Sequence, residues 1–237
     1  MTIQNHLLRS LPKPTLDALS RHLELERLDL RRTISDADRA IERICFPESG
    51  LISVRAVSRG GGRIEAAMIG AEGMTGSAVV LGDDRTPHEV VVQCPGEGYF
   101  LPAHELRRFI AGDPQLAQTL LRFVHAFMTQ LAHTALADGR GRLDQRLARW
   151  LLMAQDRLGR PEVPVTHESL AALLGVRRAG VTVALNGMER AGAIGMSRGV
   201  VAVKDRDAVE ALAGPWYGVP EGEYRRLLGE REIANAA

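Results

Sequence analysis

From about residue 23 to residue 102, apolar and polar positions alternate in short runs. Leu23-Glu24-Leu25-Glu26-Arg27-Leu28-Asp29-Leu30 steps with a period of two over most of its length, which marks a half-buried strand. Further strand candidates are residues 43–46, 50–57, 63–70, 89–94 and 98–101. Between them lie the turn signals Pro47-Glu48-Ser49-Gly50, Ser58-Arg59-Gly60-Gly61-Gly62 and Leu81-Gly82-Asp83-Asp84, whose glycines and acidic residues suit tight reversals. Many short strands without long intervening helices predict a β-roll or jelly-roll sandwich, not a parallel sheet. Ahead of it, residues 2–20 read as a short helical entry broken by Pro12 and Pro14, with Leu16 and Leu19 as apolar anchors.

Beyond Pro102 the period changes to that of a helix. Residues 103–111 form a short helix closed by Gly112-Asp113-Pro114. Residues 115–137 form a long one, with a stripe of Leu116, Leu120, Val124, Phe127, Leu131 and Ala135 that Leu121, Phe123 and Met128 widen. A long helix, apolar on more than one side and joining two regions, suits pairing with its own copy. Leu116, Leu120, Val124, Phe127 and Leu131 are therefore the expected dimer seam; the alternative is that this stripe packs only on its own β-domain. Asp138-Gly139-Arg140-Gly141-Arg142 reads as a hinge, and residues 143–158 as a helix with Leu147, Trp150, Leu151 and Ala154 on one face, ended by Gly159-Arg160-Pro161.

The next stretch carries the candidate chemistry. Thr166 is placed to cap a helix whose apolar stripe is Leu170, Leu173 and Leu174, and Gly175 is placed to end it. A second helix follows at once, opening with Arg177-Arg178. Its Val181, Leu185 and Met188 face a core, while Arg178, Ala179, Thr182 and Asn186 lie opposite. Two helices joined by a Gly-containing turn describe a helix-turn-helix. Residues 193–203 then read as a β-hairpin, a wing with Ser197-Arg198-Gly199 at its tip. A helix of this kind fills the major groove, and arginines near its start suit bidentate recognition of guanine. Thr166, His167, Arg177, Arg178, Gly180, Thr182, Asn186, Ser197 and Arg198 are the expected DNA-contacting residues, with Thr166, His167 and Arg198 on the phosphate backbone.

Charge agrees with that placement. Residues 138–204 carry 11 basic and 6 acidic side chains, whereas residues 1–137 carry 15 and 16. Basic charge gathered on one segment is the footprint of phosphate binding. Other chemistries lack their constellations. The chain has only two cysteines, Cys45 and Cys94, far too few for a typical iron–sulfur cluster or a Cys-rich zinc site; buried strand thiols are expected. Seven histidines include His104, His125 and His133, but they form no HExxH and no tight cluster with acids, so no metal is expected. Gly70, Gly73 and Gly76 lack the Lys-Ser/Thr of a phosphate loop and read as strand-turn glycines. No nucleophile-elbow motif is present, and no enzyme is expected. With no run of ~18 apolar residues and no secretory leader, the expectation is a cytoplasmic protein without a membrane partner.

The order of β-roll, long helix, hinge and winged helix resembles the Crp/Fnr family of bacterial transcription regulators over about residues 10–205. Its most specific stretch is Gln145-Arg146-Leu147-Ala148-Arg149-Trp150-Leu151-Leu152, followed by residues 165–182 and the wing. Phe46-Pro47-Glu48-Ser49-Gly50 and Gly70-Ala71-Glu72-Gly73-Met74 look like a subgroup of that family. The resemblance implies a sensor domain, double-stranded DNA as partner, and self-association as a homodimer; it leaves RNA polymerase open as a further partner. In members that bind cyclic nucleotides, a glycine-rich turn carries a Glu for the ribose, and an Arg followed by a hydroxyl residue holds the phosphate. Glu72 and Gly73 match the first loosely and Arg85-Thr86 the second, giving an effector-pocket set. Pro87 then removes a backbone donor, and the spacing from Glu72 to Arg85 is long. A degenerate pocket without cofactor is the expectation. The family's acidic residue after the guanine-reading Arg178 is Ala179 here, and its second base-reading Arg is Val183.

The expected fold is α+β: a cyclic-nucleotide-binding-like β-roll (residues 1–112), a long dimerisation helix (113–138), a winged helix-turn-helix (139–213) and a tail (214–237). The expected function is that of a sequence-specific, homodimeric DNA-binding regulator whose signal is open. The competing one is a ligand-binding regulatory subunit whose winged domain contacts protein.

Overall fold

The computed structural model describes residues 3–229. The chain enters through two short helices, α1 (His6–Arg9) and α2 (Lys13–Ser20). Seven strands follow: β1 (Glu24–Leu28), β2 (Thr33–Ser35), β3 (Arg43–Pro47), β4 (Leu51–Val57), β5 (Arg63–Ile69), β6 (His88–Cys94) and β7 (Gly96–Pro102), with a short helix α3 (Ser77–Val80) between β5 and β6. They form two antiparallel sheets, β1-β7-β3 and β2-β6-β4-β5. Inward-facing Ile44, Phe46, Ile52, Val54, Ile69, Val92 and Phe100 fill the space between them. The expected roll is present, and Cys45 and Cys94 are buried strand thiols. Burial pushes the Cys94 thiol up to about 12 and the Cys45 thiol upward as well.

Helix α4 (Ala103–Gly112) leads into α5 (Pro114–Arg140), which Asp113 caps by accepting from the amides of Gln115 and Leu116. The expected hinge is shorter than the glycine content suggests. Asp138, Gly139 and Arg140 stay helical, and the break falls at Gly141-Arg142.

The stripe expected to form the dimer seam lies elsewhere. Leu116, Leu120, Val124 and Phe127 are buried in the roll's own core, and Leu131 packs against it. Gln130 fixes this side, accepting from the Met68 amide at 2.8 Å and donating to its carbonyl at 3.1 Å. The reason is the roll's open side, which leaves apolar residues of both sheets uncovered until α5 lies on them. A seam with a second copy must use another face, where Leu121, Met128 and Leu136 stand exposed.

The second half is built on α6 (Leu143–Leu158). Around it lie β8 (Glu162–Pro164), α7 (His167–Leu174), α8 (Arg178–Arg190), the hairpin β9 (Ile194–Ser197) and β10 (Val200–Val203), and α9 (Arg206–Ala213). The wing carries a third strand that the alternation did not reveal, the sheet order being β8-β10-β9. Its core includes Leu147, Leu151, Leu170, Leu173, Leu185 and Ile194, and it also takes in Leu51, Met68 and Cys94 from the roll. The winged unit is thus seated on the outer face of the four-stranded sheet. Trp150 Nε1 donates to Glu65 Oε1 across this contact at 2.6 Å.

After a single 3₁₀ turn (Gly214–Trp216), the tail forms α10 (Val219–Leu228), which lies along α5. The rest of the tail, residues 230–237, lies outside the described residues. Buried Arg149 of α6 donates to the Trp216 carbonyl at 3.0 Å and to Thr134 Oγ1 of α5 at 3.2 Å. Tyr217 donates to Asp156 at 2.6 Å, and Tyr224 to the Glu72 carbonyl at 2.6 Å. Tyr224 therefore ties the C-terminal helix to the roll. Replacing it by alanine is expected to cost roughly 2–3 kcal/mol through lost packing and one lost hydrogen bond, and replacing it by phenylalanine only about 1 kcal/mol. Thermal unfolding reads both; equal effects would mean that packing contributes little at this position.

Candidate nucleic-acid interface

The two helices of the motif are set by local signals. Thr166 caps α7, its Oγ1 accepting from the Ser169 amide at 3.1 Å. Gly175 ends α7 in the left-handed region at φ 64°, a conformation that costs glycine little. The turn is pinned from behind. Arg146 of α6 donates to the Leu174 carbonyl at 2.6 Å and pairs with Asp138 at the end of α5. Val181, Leu185 and Met188 seat α8 on the core, so the opposite face of α8 is held outward on a fixed support.

Thr166, His167, Arg178, Ser197 and Gly199 converge on one cleft of about 440 Å³, bounded by the start of α7, the start of α8 and the wing. His167 Nδ1 lies 3.0 Å from Thr182 Oγ1, a bond that fixes α7 against α8. Arg178, the first residue of α8, is exposed, with its Nε 3.7 Å from Glu168 Oε2. That pair is solvent-exposed on both sides and so is weak, leaving the guanidinium available. Arg177, Asn186 and Arg198 are exposed, Arg198 at the wing tip, beyond the cleft.

Two expected residues are placed differently. A side chain at Gly180 would point at Leu143 of α6, so this glycine serves close helix packing, not approach to a duplex. Thr182 is half-buried and engaged with His167. Val183, which is not among the expected contacts, is 68% exposed on the outer face of α8. Its signal was its place one turn beyond Ala179, and an apolar side chain there suits contact with a thymine methyl group.

The effector-pocket set does not assemble. Glu72 pairs with Arg157 of α6 at 2.8 Å, with both side chains largely buried, and Oε2 accepts from the Gly70 amide at 2.9 Å. A side chain at Gly73 would run into the Phe123 ring, so this loop is sealed against α5. Arg85 is exposed and pairs with neighbouring Asp84 at 3.0 Å, and Thr86 bonds to His88. The four residues line no common cavity among those described. Their physical competitors are groups of the same chain.

The family model of the Crp-like helix-turn-helix domain matches residues 145–212. Residues 145–212 are a Crp-like helix-turn-helix domain. This Crp-like domain spans α6 to α9, and the cleft described above lies within it. No curated protein matches the chain. Among solved structures, the chain is similar to a protein from Eubacterium rectale assigned to the Crp/Fnr family of transcriptional regulators, at TM-score 0.67 and 18% identity over 87% of this chain and 97% of that one. It is similar to FixK2 from Bradyrhizobium japonicum at TM-score 0.67 and 15% identity, over 81% and 98%. A third is CLP, a c-di-GMP responsive global regulator of Xanthomonas campestris, at TM-score 0.66 and 14% identity, over 81% and 99%. These likenesses establish the fold: a β-roll, a long helix and a C-terminal Crp-like domain. No helix among the described residues is long and apolar enough to cross a membrane, and no cluster of His, Cys, Asp or Glu among them can hold a metal ion.

Proposed function

We propose that the chain is a sequence-specific, DNA-binding transcription regulator that works as a homodimer in the cytoplasm and catalyses no reaction. The observation that carries this reading is the cleft that gathers Thr166, His167, Arg178 and Ser197 within a Crp-like domain. Its chemistry suits a duplex: hydroxyl and backbone donors at a helix start for phosphate, and an arginine fork for a guanine edge. Self-association is supported by α5, where Leu121, Met128 and Leu136 are 49%, 56% and 49% exposed on the face away from the roll. Spacings of seven and eight residues keep them on one side. Two copies joined there would present two α8 helices to successive major grooves.

Counterion release tests the DNA reading. With about six to ten phosphates neutralised, affinity for an operator fragment should fall roughly a thousandfold or more between about 50 and 200 mM salt. A salt-independent affinity would contradict it. Arg178→Ala should weaken binding by about 1–3 kcal/mol and relax the preference at one base pair per half-site. A uniform loss across all sequences would make Arg178 a phosphate contact only.

A further inference from the structure

Between the outer face of the roll and the winged unit lies a second cleft, of about 480 Å³. That volume is within the range of small-molecule sites, which favour domain boundaries. The roll supplies Arg31 and Arg63, and the winged unit supplies Thr166 and Ser169 at the start of α7. Arg31 holds a left-handed backbone at φ 67°, unusual for a residue with a side chain. Its amide is anchored on the Val92 carbonyl at 3.0 Å, while no bond or ion pair among the described residues engages its guanidinium. Arg63 shares Glu89 with Arg55, at 3.4 Å and 3.6 Å, so two arginines answer one carboxylate. The rim is net positive.

Deeper in the cleft are two polar groups without partners. Gln93 is 7% exposed, and its side-chain amide makes no hydrogen bond among the described residues. Glu65 is 6% exposed; Trp150 occupies its Oε1, while its Oε2 has no hydrogen-bond partner. Burying a polar atom such as Glu65 Oε2 without a partner is unfavourable, a cost that a ligand can remove. Leu30, Pro95 and Leu173 supply apolar wall between the two ends.

We propose that this cleft binds a small phosphate monoester. The phosphate sits between Arg31, Arg63 and the first turn of α7, where charge-assisted bonds and the helix terminus favour it. The body of the ester lies inward, against Gln93 and Glu65. A ligand held by both units fastens the winged unit to the roll and covers Thr166. On the DNA-binding reading, such a ligand opposes DNA; the binding itself does not depend on that reading.

Calorimetry on the full chain, without DNA, tests the site. The probes are glucose 6-phosphate and phenyl phosphate, with glucose and phenol as their uncharged counterparts. At least one ester should bind once per chain with a Kd below about 1 mM, and neither neutral compound should bind. Arg31→Gly combined with Arg63→Ala should weaken the ester about tenfold or more; the glycine also relieves the positive φ, so the fold is kept. Arg225→Ala, remote on α10, should change nothing. The proposal is overturned if neither ester saturates by roughly 10 mM, if the neutral compounds bind as well, or if the double variant binds like the unaltered chain.

Discussion

Replacing Leu121 and Met128 together by glutamate is expected to leave the fold intact, split the proposed dimer and lower operator affinity by roughly 10²–10⁴-fold. Both side chains are about half exposed, at 49% and 56%, and neither belongs to the roll's core. Their loss therefore removes little from the monomer. Across a two-fold axis the two positions meet their own copies, so the double variant brings four carboxylates into one apolar seam, where unpaired charge is strongly disfavoured. Affinity falls because binding of the second half-site is no longer intramolecular. Light scattering reads the mass and anisotropy the affinity. A variant that remains dimeric would move the seam off this face. Phe127→Glu is the contrasting case, since Phe127 of α5 is buried in the roll's core; it should unfold the roll.

Stability is expected to fall by roughly 3 kcal/mol as pH rises from about 4.5 to about 7, on account of Glu65 alone. Burial beneath the winged unit pushes this carboxyl up to about 7, from an ordinary value of 4.5, against the smaller opposing effects of nearby Ser53, Trp150, Arg55 and Arg157. The sign follows from proton binding. Below about pH 4.5 the group is protonated whether the chain is folded or not. Between that pH and 7 the unfolded chain releases the proton while the folded chain retains it, so the unfolded form gains. Above 7 both are ionised and the loss is complete. Glu65→Gln keeps an acceptor for Trp150 Nε1 and has no proton to release. Unfolding curves at pH 5 and pH 8 should therefore show the unaltered chain losing stability relative to Glu65→Gln. Parallel losses in the two proteins would mean that Glu65 does not titrate with folding.

Much of the architecture was legible along the chain because local signals agreed with it. Alternation marked β1, turn signals bounded β3 to β7, the limits of α6 coincide with its apolar stripe and its flanking glycines, and the Thr166 cap forms as its position suggests. What was not legible depended on distant parts of the chain. Helix α5 carries apolar residues on two sides, and periodicity cannot say which side the roll covers. Glu72 and Arg85 have the residue types of a nucleotide cassette, but Arg157 and Asp84 occupy them. Strand β2 has three residues and a shifted register against β6, too short for any period to register. Gly180 was expected among the DNA contacts, whereas a side chain there would meet Leu143.

The central claim, that paired Crp-like domains read DNA through α8, is tested most directly by selecting bound duplexes from a random pool with the full chain. The expected result is a two-fold symmetric consensus with half-sites about one helical turn apart, in which Arg178→Ala degrades one position in each half. Recovery of no enriched sequence at moderate salt, where nonspecific phosphate contacts are screened, would contradict it.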